Sequence, residues 1–459
     1  MIISLLFISF LTLWVIAFIL FERDLVCPTM LLLSGYTLSV GVAFFSDFKI
    51  PFVYHSQTVF VLLVGTFLFC IPAYAIKTCY SDGKGVQPNL SCSVIDIRSF
   101  VLLLHAVGLL GTIALSFWVY REILLEIKPS LTYAESVNAM RNYIIANPDA
   151  VKIPELFLLN QAKRIFRITG FFFLVVWVRN AVIRQSFVKD KLLIVNLILS
   201  MILLGTEGGR TGIVAYVLAA IALFFLFDRL YNNTRISISV GLVVKILGVF
   251  LAASVAFYAM FYLTGRQSGT FHVGSLIHHV QFYLGGSIPL LDNFLLTSVG
   301  VGGGTDIIGK ETFYSLVQFM SKLHITDTPL YSVHLEFRPG VYDGNVYTGF
   351  RSYIHDFGYA GLVFMPILFS VCANWLYYAA LKASREKMVS IGIVLYATLI
   401  YPIFADFVRC FFCLSFFSAN TVCLCIGVAL LQGFLLKTGW MRFSTVVSKV
   451  RFPRSHDVC

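Results

Sequence analysis

Apolar runs of about 15–27 residues recur along the whole chain, broken by short connections rich in lysine, arginine and glycine. Runs near 20 residues match a hydrocarbon core of about 30 Å. Lipid admits only helices or closed barrels, because each satisfies its backbone internally. The alternating ten-residue strands of a barrel are absent. The pattern predicts an all-α polytopic membrane protein with about eleven transmembrane helices (10–12), near 1–21, 25–46, 58–76, 99–120, 165–183, 192–205, 213–227, 238–264, 360–381, 389–407 and 411–436. These form a single integral membrane domain over 1–459, with long outward segments at 121–164 and 265–359 and a basic tail at 437–459.

Composition agrees, with 58% hydrophobic and 12% charged residues. A net charge of +11 would suit nucleic acid, but the cations are laid out as a topology signal and no nucleic-acid partner is expected. Lys77, Lys84 and Arg98 share one connection, Arg184, Lys189 and Lys191 another. Arg229 with Arg235, and Lys382 with Arg385 and Lys387, mark two more, and the tail carries Lys437, Arg442, Lys449, Arg451 and Arg454. With eleven spans all of these fall on one side, which the positive-inside rule assigns to the cytoplasm. The segments 121–164 and 265–359 then lie on the outer side, the first of them basic yet, at about 44 residues, near the length at which the rule weakens. The first apolar run lacks a basic leader and a small-residue cleavage site, so it reads as an uncleaved span. The ten cysteines suggest no framework, since "CFFC" (Cys410 to Cys413) has neither a second pair nor a nearby histidine.

The first outward segment reads as short amphipathic helices, with Tyr133, Val137, Met140 and Ile144 at three-to-four spacing. A packing cap on the bundle is the plain account of it. The second is too apolar in places for a free loop, and interfacial or re-entrant helices are expected there.

The stretch "TEGGRTG" (Thr206 to Gly212) holds the first candidate chemistry. Its flanking segments, 192–205 and 213–227, would span only about 21–22 Å as helices, which recesses the connection below the outer surface. Arg210 beside a helix N-terminus would make an anion site. The alternative is an arginine that snorkels to the interface with Glu207 as its partner. Arg266, Arg338 and Arg351 are further outward arginines bordering spans. The stretch from Val333 to Gly361 is the richest, gathering Glu336, Arg338, Asp343, Asn345, Tyr347, Arg351, His355 and Asp356. A carboxylate or histidine near an anion-holding arginine is what deprotonation of a sugar hydroxyl needs. Tyr342, Tyr347, Phe350 and Tyr353 could cover the apolar faces of sugar rings. A structured lid with a solvated face is the competing account. No HExxH, P-loop or GxSxG occurs, and the acidic metal signature of dolichol-sugar transferases is missing from the first outward loop.

At "GTEGGRTGIVAYVLA" and "GNVYTGFRSYIHDFGYAGLVF" the chain resembles the oligosaccharide repeat-unit polymerases of bacterial O-antigen and capsule assembly (Wzy type), and more distantly the O-antigen ligases. The first stretch matches through Arg210. The second matches through Asn345, Tyr347, Gly358 and Gly361, but has Gly344 where ligases carry a histidine. The resemblance implies a metal-independent glycosyl transfer without cofactor, from undecaprenyl-pyrophosphate-linked glycan to a new lipid-linked unit. It implies pyrophosphate binding by Arg210, Arg266, Arg338 and Arg351, substrate contacts from Asn345, Tyr347 and Glu207, and a base among Asp343, His355, Asp356 and Glu336. Membrane lipids, a chain-length regulator and a flippase are the expected partners. A ligase to lipid A core, a lipid-linked oligosaccharide flippase and a non-catalytic assembly protein are the alternatives.

Overall fold

The computed structural model describes residues 2–46, 54–81, 93–125, 132–147, 150, 153–207, 211–232, 281–297, 309–326, 346–386 and 389–445. Helices dominate: α1 (Ile2–Leu20), α2 (Pro28–Phe45), α3 (Ser56–Ser81), α4 (Ser99–Leu125), α5 (Tyr133–Ala146), α6 (Pro154–Arg184), α7 (Lys191–Gly205), α8 (Thr211–Asn232), α9 (Ser287–Thr297), α10 (Tyr314–Lys322), α11 (Gly349–Glu386), α12 (Ile391–Phe404), α13 (Phe411–Phe416) and α14 (Ala419–Lys437). Eight of them are long and apolar enough to cross a membrane. Two shorter apolar helices join these: α7, and α12 with the 3-10 turn Ala405–Phe407. The chain is therefore an all-α multi-pass membrane protein. The expected span at 238–264, and most of the segment 265–359, lie outside the described residues.

Local chemistry sets the helix boundaries. Pro28 and Pro154 open α2 and α6, where a missing amide hydrogen is harmless. Ser390 and Ser418 cap α12 and α14 by accepting the amides of Ile393 and Thr421. Thr132 and Glu135 form a reciprocal capping box on α5. The expected amphipathic helix is thus present. Val137 and Met140 pack with Val119, Tyr120 and Leu124 of α4 and Leu156 and Leu159 of α6, a small core apart from the main one.

Two expectations change. The segment after "TEGGRTG" is not short: α8 runs for 22 residues, about 33 Å, enough to cross a bilayer unaided. Its polar last turn, with Asp228 and Arg229, continues the helix beyond the apolar window. Only α7, with 15 residues and about 22 Å, keeps the connection recessed. Likewise, the helix expected over 360–381 begins at Gly349, because a glycine kink joins two arms. Gly358 has φ 64° and ψ −159°, a conformation open essentially to glycine alone. A Cβ on Gly361 would come within 2.1 Å of the Tyr353 carbonyl oxygen.

Contacts sort the connections into two ends of the bundle. At one end, Lys77 pairs with Glu22 (2.9 Å), Arg229 with Asp24, and Arg184 with Asp96 (2.8 Å) and Asp190. The Tyr377 hydroxyl donates to Asp24 (2.6 Å), and Gln432 to the Val389 carbonyl (3.0 Å). This basic end also carries strands the apolar pattern did not predict. β1 (Ser93–Ile97) pairs antiparallel with β2 (Met441–Thr445), with Ser93 opposite Thr445 and Ile97 opposite Met441. Buried Asn180 of α6 closes the other edge of β1, since its side-chain amide exchanges hydrogen bonds with the amide and carbonyl of Ile95 (3.0 and 2.8 Å). At the opposite end, His55 meets Asp292 (2.8 Å), Arg167 meets Glu207 and Arg351 meets Glu311. Among the described residues no connection joins both sets, which is the alternation that repeated crossing requires. The residues flanking the 238–264 stretch also lie at opposite ends, with Tyr231 on Arg179 near the basic end and Gly285 against Ala43 at the other.

Candidate functional site

The densest ionic cluster lies at the end away from the basic connections, on the short arm of α11 before its kink. Arg351, Ser352, His355 and Asp356 follow one another at helical spacing, so they share one face of that arm. Facing them is the turn 309–313, opened by Gly309 at φ 78°. The Asp356 carboxylate fixes that turn by accepting the amides of Glu311 (3.0 Å) and Thr312 (2.7 Å). Thr312 Oγ1 in return donates to the Ser352 carbonyl (3.2 Å).

Glu311, held in this way, receives Arg351 Nη1 on one oxygen together with Ser352 Oγ (3.3 Å). The Arg351 guanidinium also lies 5.0 Å from the ring centroids of both Phe294 and Tyr347. His355 Nδ1 is 3.1 Å from Asp356 Oδ1 and 3.6 Å from Glu311 Oε1. Exposure separates the roles: the His355 side chain is 25% exposed, against 2% for Arg351, 9% for Glu311 and 0% for Asp356. An imidazole between two carboxylates, with a solvent-facing side, can take up and release a proton.

The floor of the cluster is apolar and tightly built. Tyr347, Phe350 and Tyr353 are buried at 1%, 2% and 0% exposure, so they pack the core and do not offer an open platform for sugar rings. Phe350 stacks on Tyr36 (5.3 Å), and a Cβ on Gly65 of α3 would strike its ring at 2.4 Å. Gly349, the first residue of α11, lies against the buried Asp406 carboxylate, where a Cβ would meet Oδ1 at 2.5 Å. Asp406 accepts the Tyr36 hydroxyl at 3.0 Å and the Tyr353 hydroxyl at 3.5 Å. Two phenols thus hold the Asp406 carboxyl against the first turn of α11. Asp292 acts similarly from α9 by accepting the His55 amide (2.9 Å) and the Thr58 hydroxyl at the start of α3. This anchors the helix that supplies Phe294 beneath Arg351.

Among the expected site residues, the structure brings Arg351, His355, Asp356 and Tyr347 together. Arg351 is committed to Glu311 and two rings, and Asp356 to two backbone amides. Their geometry suits positioning, and direct contact with a phosphate or a sugar hydroxyl would require them to leave these partners. Glu207 belongs to a separate cluster on α6, paired with Arg167. Arg167 lies about 20 Å along α6 from Pro154, so its partner Glu207 sits well below the tip of that helix. Arg210, Arg266, Glu336, Arg338, Asp343 and Asn345 lie outside the described residues. Sequence reasoning missed Glu311, Asp406, Lys163 and Arg167. Asp406 in "FADFV" and the cations of "KRIFR" interrupt apolar helices, and ionisable residues within spans are functional candidates by default.

Comparison with protein-family models, with curated proteins and with solved structures finds no match to this chain.

Proposed function

We propose that the chain polymerises undecaprenyl-pyrophosphate-linked oligosaccharide repeat units, destined for O-antigen or capsule, at the periplasmic face of a bacterial inner membrane. The observation that carries this reading is the grouping of Arg351, His355 and Asp356, from the second resembling motif, with Glu311. They lie at the end of the bundle that also holds Glu207 of the first motif. The short basic connections gather at the opposite end, which the positive-inside rule favours as the cytoplasmic one.

In this reading the acceptor hydroxyl gives its proton to His355 while its oxygen attacks the anomeric carbon of the donor glycan. The bond from that carbon to the pyrophosphate oxygen breaks, and undecaprenyl pyrophosphate leaves with the electron pair. Glu311 and Asp356 favour the imidazolium that results. Asp343 and Glu336 are the alternative bases. Pyrophosphate departs readily, so orientation and cationic stabilisation are the main demands on the protein.

The test is reconstitution of the full chain in vesicles with lipid-linked repeat units, with product ladders resolved by size. Growth should persist in excess EDTA. His355→Asn should slow it by about 10²–10⁴-fold without altering insertion. Undiminished growth in that variant would move the base to Asp343 or Glu336. A wild-type chain that inserts but grows no ladder would remove the polymerase reading.

A further inference from the structure

Three cations lie close together on α6 at the same end, with Lys322 of α10 within electrostatic reach of Arg164, in a place the proposed reaction has not used. Lys163 is 3% exposed, although it carries an ammonium group. Its Nζ donates to the Tyr120 hydroxyl at 2.7 Å and to the Thr206 carbonyl at 3.4 Å, and it lies 4.7 Å from the Tyr120 ring centroid. All of these partners are neutral. The carboxylate that reaches this region, Glu207, is taken by Arg167. Arg167 Nε is itself buried and has no acceptor among the described residues. Arg164, next along the helix, donates to the neutral Gln161 amide oxygen (3.2 Å). From the far end of α10, Lys322 comes near enough to Arg164 that its pKa is lowered by partial burial and, after that, by the arginine's charge.

Lys163, Arg164, Arg167 and Lys322 therefore share one carboxylate among the described residues. One carboxylate cannot balance them, so a net positive charge stays in a partly buried place. An anion arriving from outside would complete the set. Exposed apolar side chains adjoin it: Ile165 on α6, and Phe319 and Leu323 on α10. A phosphate borne by a lipid could thus reach these cations with its chain still in the bilayer.

We propose that Lys163, Arg164, Arg167 and Lys322 form a binding site for the phosphate or pyrophosphate group of a membrane lipid. The site stands apart from the Glu311 cluster, since α10 separates Lys322 from Glu311 by about 15 Å. Two sources share this chemistry: an isoprenoid pyrophosphate, which would rest on the polymerase reading, and an anionic phospholipid headgroup, which would not.

The experiment uses the full chain in phosphatidylcholine nanodiscs, with farnesyl pyrophosphate as probe and affinity read by calorimetry. Wild type should bind, and Lys163→Arg should retain binding. Lys163→Met, Arg164→Gln and Lys322→Gln should each weaken it about tenfold, the scale of one charge-assisted contact. Arg164 and Lys322 are not buried, so their variants remain informative if Lys163→Met fails to insert. Doping the discs with phosphatidylglycerol separates the sources: competition against the probe marks a headgroup site, and its absence marks a pyrophosphate site. Either result upholds the anion site. Failure of the wild-type chain to bind, or variants all within twofold of it, would overturn the proposal. Binding by a chain that polymerises nothing would keep this site and remove the polymerase reading, whereas polymerisation with unaltered binding in the variants would do the reverse.

Discussion

Arg351 and Lys163 are both buried cations at the same end of the bundle, at 2% and 3% exposure, yet their surroundings differ in kind. Around Arg351 the chain supplies Glu311, two aromatic faces, and the Ser352 hydroxyl and Asp356 carboxylate that hold Glu311 in place. Around Lys163 it supplies a phenol, a carbonyl and a nearby carboxylate, Glu207, that is already paired with Arg167. The first charge is answered inside the protein, by a residue 40 positions away in sequence. The second has no answering carboxylate hydrogen-bonded to it among the described residues. Charges that cancel locally hold a structure in one shape, and charges that do not cancel call for a partner from outside.

The sharpest way to break this contrast is to neutralise each cation by an apolar residue of similar length. Arg351→Met strands the Glu311 carboxylate, and stability should fall by about 3–5 kcal/mol. Arg351→Met combined with Glu311→Leu should recover most of that loss. Lys163→Met strands nothing charged and should change stability by about 1 kcal/mol or less, in either direction. Thermal unfolding of the purified variants in mild detergent reads all three. A Lys163 variant that loses as much as the Arg351 variant would show that both clusters are structural.

A smaller effect should follow at the kink that turns the arm of α11 over the Glu311 turn. Gly358→Ala forces a side chain into a conformation it rarely adopts, a strain of about 1–3 kcal/mol. If the kink positions the cluster, chain growth should fall further than this stability loss explains. Growth that tracks stability alone would reduce the kink to a packing device.

The smallest effect concerns Glu207, whose side chain is 32% exposed and whose partner Arg167 is 39% exposed. Such half-open pairs contribute about 0–1 kcal/mol, so Glu207→Gln should scarcely alter unfolding. It would, however, release Arg167, and farnesyl pyrophosphate should then bind more tightly than to wild type. Weaker binding would mean that Glu207 orients the cations and does not compete with the anion.

Much of the fold was legible because lipid imposes a simple length rule. Each expected span that falls on described residues holds a helix, except that 411–436 divides into the six-residue α13 and the spanning α14, and the amphipathic pattern from Tyr133 to Ile144 marked α5. Helix ends were less legible. The cations of "KRIFR" depress the apolar signal around 161–167, yet α6 runs straight through them because α4 and α5 pack against its upper half. The site was legible only along α11, where helical spacing brings Arg351, His355 and Asp356 together. Glu311 carries no such mark, since its pairing with Arg351 depends on a turn pinned by Asp356. Tyr347, Phe350 and Tyr353 read equally well as sugar-stacking or core residues, and only the packing of α2 and α3 against them decides for the core.

The β1–β2 pairing has a consequence for how the chain is made. Its strands are separated by about 350 residues, which at about 5–20 residues per second takes roughly 20–70 s to synthesise. β1 therefore emerges long before its partner exists, and must wait beside a membrane with a hydrogen-bonding edge open. Asn180 offers an earlier companion, available once α6 is inserted, that occupies the opposite edge of β1. The β2 edge is filled only after α14 has emerged, so the sheet acts as a latch on biogenesis. It closes only when both ends of the bundle's amino-acid order have reached the same side of the membrane.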